Sequence, residues 1–392
     1  MPDDMDISPQ GFSEGEIMGV FHSDVVDRVR GGSEPNVWRL PGGALVLPRV
    51  FGFCRGVKRA LALAERAADE HARLARTGLL ILLGEIIHNP WVNAHFQRRG
   101  VRILTRSERQ KVEEHVTRDD VAIVPAFGVP LPIERRLRDI GCRIVDCTCG
   151  DVRRLWTWSE QAARDGYGVI VFGRSEHDET VVTKSRLAEA GGTYLVLETL
   201  RQVEQFGGMF QAEANDADFR ASFSPAATNA ASLKAFETLA QVSQTTMLYN
   251  HTRRVREILT SAFETRFGSA AADRLRFQPT VCRATQDRQD AAVELCRSGC
   301  GLVIVVGGFG SSNTRHLHEL ARQYAPAYLI ENADAIRSVD ELLAYDRDGE
   351  TARTVHSWLP KERPLRVGLL AGASSPEIVI GRVLERLAEF LR

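Results

Sequence analysis

Three cysteines stand in one local context at widely separated points of the chain. Cys54, Cys149 and Cys282 each lie beside Gly or Thr residues, where a segment of strand character gives way to one of helical periodicity. A thiol at the start of a helix has its thiolate favoured by the positive end of the helix dipole. Three thiolates can hold a cubane iron–sulfur cluster and leave its fourth iron free to bind a substrate. We therefore predict that the fold gathers these thiols at one metal centre.

Each thiol also has a less specific interpretation, because free cysteine is among the most buried residue types. Cys147 lies two positions before Cys149, and alternation along a strand would place both on one face, one to ligate and one to pack. Zinc is the main alternative metal, although the chain lacks the close C-x-x-C pairs of structural zinc sites. The remaining thiols lack the repeated context and are interpreted as packing or surface residues: Cys142, Cys296 and Cys300.

Several polar loops offer donors for an anion. Gly310 is followed by hydroxyl residues at the start of a helical pattern, where free backbone N–H groups and the helix dipole suit a phosphate. The alternative role of these hydroxyls is helix capping. The same alternative applies to Ser374 and Ser375, because they precede Pro376 and proline is favoured at the first position of a helix. Because several such loops occur, we predict an anion pocket made by His88, His177, Ser311, Ser312, Asn313 and Ser374.

Glu179 is the candidate proton donor. It lies two residues after His177, and a carboxyl group beside a cluster and an anion would have a raised pKa, which suits general acid catalysis. An exposed glutamate in a first helical turn is the alternative. Thr245 and Thr246 carry hydroxyls that could orient a bound alcohol, although adjacent threonines in a strand are otherwise common.

The elements that must position these residues repeat one pattern: an apolar strand, a turn with polar residues, and a helix-period segment. Instances begin near Leu79, Val121, Val169, Leu302 and Val367. The alternation predicts an α/β protein with mainly parallel sheets, in which ligands bind at the carboxyl ends of the strands. We expect an N-terminal extension over 1–47 and three α/β domains over 48–147, 148–280 and 281–392.

Two segments carry weaker signals. The extension is rich in polar and acidic residues and is expected to be weakly structured, apart from a short strand such as VWRL or ALVLP. The stretch 204–225 is rich in Gly, Ala and polar residues and is interpreted as a surface loop or insertion.

Composition narrows the class of protein. The chain is 44% hydrophobic and 26% charged, with a formal net charge of −1, whereas nucleic-acid and membrane-surface binding usually need a basic excess. No apolar run approaches the roughly 20 residues of a membrane span, and the start, MPDDMDIS, lacks the features of a secretory signal. We expect a cytoplasmic protein without nucleic-acid or membrane partners, whose seven cysteines are ligands or free thiols.

The motifs also follow the order of a known family. GFCRGV, IIHN, DCTCGDV, EHDE, SQTT, VCRATQDRQDA, GSSNTRHL and AGASSPE occur from about residue 46 onwards. In number and order they resemble the 4-hydroxy-3-methylbut-2-enyl diphosphate reductase family, also called LytB or IspH. The resemblance implies three pseudo-equivalent domains around a central [4Fe–4S] cluster. It also implies reductive removal of a substrate hydroxyl with two external electrons and protons.

The resemblance assigns roles by motif. Cys54, Cys149 and Cys282 match the cluster ligands, Glu179 the proton donor, and Thr245 its neighbour at the substrate hydroxyl. The polar residues predicted for the anion pocket match the clamp for a phosphorylated small-molecule substrate. A ferredoxin or flavodoxin type protein is the expected electron donor, since the chain has no G-x-G-x-x-G fingerprint for a nicotinamide or flavin.

The chain departs from the family pattern at the pocket. Phe127 replaces a histidine that binds the phosphates in the family, and Asp178, which replaces a proline, adds negative charge nearby. Losing one charge-assisted hydrogen bond costs roughly 1.5–3 kcal/mol, which weakens binding by more than about tenfold. Phe127 is therefore expected to form an apolar wall of the substrate site. The substrate is either the isoprenoid diphosphate or a related hydroxylated compound, for example one with fewer phosphates.

The sequence is also compatible with two other functions. One is a cluster-bearing sensor or binding protein without turnover, which the change at Phe127 favours and the retained Glu179 and Thr245 disfavour. The other is a metal-free α/β protein that binds an anion.

Overall fold

The structure is a computed structural model that describes residues 19–74, 77–345 and 351–392. Its strands are β1 Val37–Leu40, β2 Gly43–Val46, β3 Leu80–Leu82, β4 Val101–Ile103, β5 Val121–Val124, β6 Arg143–Asp146, β7 Gly168–Phe172, β8 Tyr194–Leu197, β9 Leu239–Ser243, β10 Leu275–Phe277, β11 Leu302–Val306, β12 Ala327–Ile330, β13 Glu341–Tyr345, β14 Ala352–His356 and β15 Leu365–Ala371. Its helices are α1 Asp24–Arg30, α2 Arg55–Arg73, α3 Pro90–Arg98, α4 Arg106–Gln110, α5 Leu131–Ile140, α6 Gly150–Arg164, α7 Asp178–Glu189, α8 Leu200–Gln211, α9 Asp216–Ser222, α10 Tyr249–Phe267, α11 Arg283–Arg297, α12 Ser312–Ala321 and α13 Glu377–Glu389. None of the helices in these ranges is both long and apolar enough to cross a bilayer.

The strands form three sheets. Two have four parallel strands each, in the orders β4-β3-β5-β6 and β10-β9-β7-β8. The third has seven strands in the order β1-β2-β15-β11-β12-β13-β14, with a parallel centre from β2 to β12 and antiparallel strands at both edges. The predicted α/β class with mainly parallel sheets is confirmed, whereas the predicted domain boundaries remain predictions.

Each sheet is covered on both faces because its central strands carry apolar side chains on both sides. Along β11, Leu302, Ile304 and Val306 belong to one core cluster, and Val303 and Val305 to another on the opposite face. The two four-stranded sheets divide their side chains in the same way. Successive residues of a strand point to opposite faces, so a continuous aliphatic run specifies a sheet buried between two layers of helices.

The segment before the first cysteine is not weakly structured over residues 19–47, so that expectation is wrong there; residues 1–18 lie outside the described ranges. The predicted strands are present as β1 and β2, and β2 pairs in parallel with β15. Helix α1 packs against α13, with Val26 buried in the same core cluster as the third sheet. Polar composition hid the apolar spacing of Val25, Val26 and Val29, which anchors this segment.

The interpretation of 204–225 as a surface loop is also wrong, because most of it lies in α8 and α9. Phe206 and Phe210 are buried on one face of α8, and Phe219 and Phe223 are buried from α9 onwards. Residues four apart lie on the same face of a helix, so these two aromatic pairs are a helical signal. The Gly and Ala content of the stretch obscured that signal.

Candidate functional site

The three separated cysteines occupy equivalent positions. Cys54, Cys149 and Cys282 are the N-cap residues of α2, α6 and α11. Each follows one strand of a different sheet, namely β2, β6 and β10. The structure therefore repeats a strand–cysteine–helix unit three times, once per sheet.

The backbone holds each unit in the same way. Each cysteine N–H donates to a carbonyl in the loop that follows the neighbouring parallel strand, which is β15, β5 or β9. The acceptor is in every case the second residue after that strand ends. The three bonds are Cys54 N to Ala373 O at 3.3 Å, Cys149 N to Ala126 O at 3.0 Å and Cys282 N to Thr245 O at 3.0 Å.

The thiols also lie near one another. A Cβ atom added to Gly56 would lie 2.6 Å from Cys149 Sγ and 3.8 Å from Cys54 Sγ, so a side chain at this position would collide with the Cys149 thiol and contact the Cys54 thiol. Burial, reinforced by the nearby Cys54 thiol, raises the pKa of Cys149. The same two causes raise the pKa of Cys282 to about 11. Cys54 thus lies within electrostatic range of both other thiols.

The spacing of the thiols distinguishes the candidate metals. Within the described residues, the three sulfur atoms do not all lie within 4.8 Å of one another. A tetrahedral zinc ion with Zn–S bonds of about 2.3 Å would bring its sulfur ligands closer together than this. The arrangement fits a larger group, such as a cluster of several irons, better than a single ion.

The other thiols pack in the protein core. Cys147 is fully buried just after β6 ends at Asp146, so it and Cys149 do not share a strand face as predicted. The strand is shorter than the alternation argument assumed. Cys142, Cys296 and Cys300 are buried among apolar side chains and belong to the packing group, as interpreted.

One residue near the cysteines, Arg288, was missed by sequence reasoning. Arg288 is 5% exposed and donates from its guanidinium to Gly52 O, at 2.6 Å and 3.2 Å, two residues before Cys54. Burial lowers its pKa, and the thiols Cys54 and Cys282 act in the opposite direction. A buried cation near two thiols favours their thiolate forms. The sequence offered one indication that Arg288 lies near the thiols, namely its position on the helix that follows Cys282.

Thr245 connects the thiol region to the candidate acid. Its backbone N–H and its hydroxyl each donate to the Glu179 carboxylate at 2.6 Å, while its carbonyl accepts from Cys282 N. Thr245 lies in the loop after β9 rather than in the strand. Burial raises the pKa of Glu179 to about 7, although the two hydrogen bonds from Thr245 oppose the shift. A carboxyl group with this pKa can donate a proton near neutral pH.

Two histidines and one phenylalanine form an aromatic group at the candidate anion pocket. The rings of His88 and Phe127 stack with centroids 4.3 Å apart, and His177 meets both rings edge-on. Burial lowers the pKa of His177 to about 3, and its Nδ1 accepts from Glu179 N, so the neutral ring carries its proton on Nε2. This nitrogen is therefore a hydrogen-bond donor.

The glycine loop before α12 lies against this aromatic group. Cβ atoms added to Gly308 and Gly310 would lie 2.2 Å from His88 O and 3.5 Å from His88 Cβ. Ser311 caps α12 by accepting from Thr314 N, so the capping role belongs to it and not to Ser312 or Asn313.

Several predicted pocket residues bury polar atoms that make no hydrogen bond within the described structure. These atoms are His88 Nε2, Ser312 Oγ and Ser374 Oγ. Buried polar atoms are almost always paired, and an unpaired one costs about 1–3 kcal/mol. Three such atoms, brought from loops of two different sheets, indicate a polar ligand.

Asn313 makes hydrogen bonds within the protein. It donates to Thr285 Oγ1 at 3.3 Å and accepts from Ala373 N at 3.2 Å, while Thr285 Oγ1 lies 3.1 Å from Cys282 Sγ. The side chain therefore connects the first turn of α11, next to Cys282, to the loop after β15, whose Ala373 carbonyl accepts from Cys54 N. It fixes the pocket wall through protein contacts, and its ligand role remains a prediction.

Asp178 is not an uncompensated charge. Its carboxylate lies 3.0 Å from the guanidinium of Arg109, which is 7% exposed, and 3.8 Å from His88 Nε2. Burial works against ionisation, but Arg109 and His88 hold the pKa of Asp178 below its usual value. The two side chains therefore form an ion pair without net charge. The residues are 69 positions apart in the chain, so the sequence did not reveal this compensation.

These features define a class of protein: three α/β sheets that bring equivalent thiols together, beside a buried acid and a group of donors suited to an anion. Comparisons of this chain with known proteins agree with this class. The model of the LytB protein family matches residues 45–388. A 4-hydroxy-3-methylbut-2-enyl diphosphate reductase of Rippkaea orientalis is 31% identical over 386 residues, which covers 96% of this chain and 93% of the relative. That of Gloeothece citriformis is 33% identical over 385 residues, with the same coverage of 96% and 93%.

Two solved structures have similar folds. An (E)-4-hydroxy-3-methyl-but-2-enyl diphosphate reductase, the terminal enzyme of the non-mevalonate pathway, matches with a TM-score of 0.52 and 26% identity, covering 88% of this chain and 99% of that one. The E-1-hydroxy-2-methyl-but-2-enyl-4-diphosphate reductase of Plasmodium falciparum matches with a TM-score of 0.64 and 20% identity, covering 88% of both chains. The latter likeness concerns the fold alone.

This chain belongs to the LytB family. The family consists of iron–sulfur oxidoreductases that use a [4Fe–4S] cluster and a phosphorylated substrate. The two relatives match more of the chain than the family model does, so they share part of the segment before residue 45.

Proposed function

We propose that this protein removes the hydroxyl group of an allylic alcohol by reduction, with Cys54, Cys149 and Cys282 holding a [4Fe–4S] cluster. When bound, such a cluster supplies an iron that accepts the substrate oxygen and a path for electrons. The proposed substrate is 4-hydroxy-3-methylbut-2-enyl diphosphate or a close relative, which the names of the similar proteins support.

The observation that carries the proposal is the role of Thr245, which contacts both the backbone of Cys282 and the carboxylate of Glu179. This supports the proposal because a single residue joins Glu179, the candidate proton donor, to Cys282, a candidate cluster ligand. Glu179, protonated below about pH 7, gives its proton to the leaving oxygen. The C–O bond breaks, water leaves, and the allylic group takes up two electrons and a second proton.

The residues with free donors bind the phosphate end. His177, Ser312 and Ser374 offer hydrogen-bond donors at the pocket, His88 adds the unpaired polar atom Nε2, and the N-terminus of α12 adds its backbone N–H groups. The electrons come from a ferredoxin or flavodoxin type protein, one at a time.

A second candidate substrate has fewer phosphate groups. The stack of Phe127 on His88 favours it, because a phenyl ring fills a position where a donor would otherwise contact an anion. Such a substrate would place an apolar or aromatic group against Phe127.

Anaerobic turnover with reduced methyl viologen tests both candidates. The reconstituted protein is given 4-hydroxy-3-methylbut-2-enyl diphosphate, its monophosphate and the free diol, and dehydroxylated products are quantified. Turnover of the diphosphate supports the first candidate, and preference for the monophosphate or diol supports the second. A protein that holds a cluster and converts none of the three would refute the reductase function for these substrates and favour a sensor.

A further inference from the structure

We infer that the surface formed by the first turns of α2, α6 and α11 docks an acidic one-electron carrier protein of the plant-type ferredoxin class. The inference rests on the proposed function, since a reductase without its own flavin or nicotinamide site must take electrons from outside. This surface, here called the cysteine face, is defined by its exposed cations: Arg55, Lys58, Arg59, Arg153, Arg154 and Arg283.

The cations on α2 are the unusual ones. Arg55, Lys58 and Arg59 are exposed in or next to the first turn of this helix, and that turn holds no acidic residue. Within the described residues, no carboxylate forms an ion pair with Arg55 or Lys58. Positive charge at a helix N-terminus opposes the helix dipole. These charges therefore destabilise the helix. Binding of an external partner explains why they are present and exposed.

The cations on the other two helices are balanced within the protein. Arg153 pairs with Asp146 at 2.6 Å, Arg154 with Asp151 at 2.5 Å, and the exposed Arg283 with Asp287 at 2.8 Å. The net positive charge of the cysteine face therefore comes from α2. The whole chain has a formal net charge of −1, so this positive face is a local feature and not a consequence of overall composition.

The face also gives access to the thiol region. A cleft of about 110 Å³ opens between α6 and the segment that leads into α11, and Cys282 is part of its lining, beside Arg154 and Arg283. On the other side, Arg59 donates to Thr148 O at 3.3 Å, next to Cys149. A carrier that docks here therefore comes close to two of the three candidate ligands, and electron transfer is fastest over short distances.

Charge decides the kind of partner. A positive patch attracts an acidic surface and accelerates encounter, and the effect decreases as salt screens it. Charges at the rim of an interface act mainly on the association rate and its salt dependence. Plant-type ferredoxins have low reduction potentials, which suit the reduction of a second iron–sulfur centre.

The test measures binding of an oxidised acidic plant-type [2Fe–2S] ferredoxin to the reconstituted protein, at low and at high ionic strength. We expect the double variant Arg55→Glu/Lys58→Glu to lose at least about tenfold in affinity at low salt. Its affinity should also depend less on salt than that of the parent. The charge-preserving variant Arg55→Lys/Lys58→Arg should bind like the parent.

The matched control is Arg201→Glu. Arg201 is exposed in the first turn of α8, which also has no acidic residue, so the control reverses one cation in the same kind of helix turn away from the cysteine face. We expect its affinity to stay within about twofold of the parent. Equal weakening by the control, or unchanged binding of the double variant, would overturn the docking surface.

A second readout separates docking from support of the cluster. The rate at which the reduced ferredoxin reduces the protein should decrease in the double variant, while reduction by dithionite and the iron content stay unchanged. Parallel loss with both reductants, or loss of iron, would mean that these cations serve the thiols and would refute the docking role. Absence of turnover with methyl viologen would refute the proposed reaction alone, since ferredoxin binding is measured without it.

Discussion

The cysteine region and the anion pocket are built by different means. Each cysteine is held by a backbone hydrogen bond at the same offset from a neighbouring strand, so the fold itself repeats the unit three times. The pocket has no such repeat: its loops present His88, Phe127, His177 and Ser374, and each makes different contacts. Backbone geometry thus fixes the thiols, whereas side chains set the pocket and can be exchanged without changing the fold.

Loss of one thiol should have the largest effect. If the three units hold one cluster, Cys282→Ala should bind less iron and sulfide and reduce turnover by at least about a hundredfold, since even residues that only support metal ligands typically cost 10–100-fold. The matched control is Cys296→Ala, which removes a buried packing thiol. It should keep the cluster and lose only stability. Equal iron contents in the two variants would refute the assigned ligands.

Loss of the proposed proton donor should be the next largest effect. Glu179→Gln keeps a side chain that can accept from Thr245 but removes the acid, and we expect turnover to fall by about 10²–10⁴-fold. In the parent, burial raises the pKa of Glu179 to about 7, so its acid form, and the rate, should decline as the pH rises above that value. The measurement is the pH profile of kcat under anaerobic conditions.

Two variants sharpen this result. Glu176→Gln changes an exposed carboxylate three positions earlier, which pairs with Arg106, and should leave the profile unaltered. Thr245→Val removes a hydrogen bond that lowers the pKa of Glu179, so the alkaline decline should move to higher pH. A parent profile without any decline above pH 7 would contradict the role of Glu179.

The pocket should respond to a smaller extent at Phe127. Phe127→His restores a donor beside His88, and we expect the affinity for a diphosphate to rise about tenfold, in accord with roughly 1.5 kcal/mol for one charge-assisted hydrogen bond. Phe127→Leu is the control, because it removes the stacked ring without adding a donor. The comparison uses KM for diphosphate and monophosphate substrates. If both variants changed KM equally, Phe127 would not act through the phosphate.

The smallest expected effect concerns two neighbouring serines. Ser374→Ala removes a buried hydroxyl that has no partner within the described structure, so KM should rise about threefold with little change in stability. Ser375 Oγ instead donates to Val306 O at 2.8 Å, so Ser375→Ala should lower the free energy of unfolding by about 1 kcal/mol and leave KM unchanged. If Ser375→Ala raised KM and Ser374→Ala did not, the substrate would not contact Ser374.

Much of the framework could be predicted from the sequence. The five strand–loop–helix units and the context of the three cysteines are local patterns, and the α/β class is confirmed. The three cysteines have similar neighbours in the sequence because each is the N-cap residue of a helix in the same short unit, which recurs in each sheet. The roles of the site residues remain predictions.

The missed features depend on contacts between distant parts of the chain. Arg109 neutralises Asp178, and Arg288 bonds to Gly52, but no local pattern joins either pair. The helices over 204–225 were missed for another reason. Their signal lies in the spacing of Phe206, Phe210, Phe219 and Phe223, which composition alone does not reveal.

The most direct test of the account is Mössbauer spectroscopy of protein reconstituted with ⁵⁷Fe, before and after addition of 4-hydroxy-3-methylbut-2-enyl diphosphate. Three protein thiolates shared among four irons leave one iron different from the rest, and the account predicts that its signal alone shifts when the alcohol binds. Four equivalent irons, or a spectrum of a single mononuclear site, would contradict the claim that Cys54, Cys149 and Cys282 share one substrate-binding cluster.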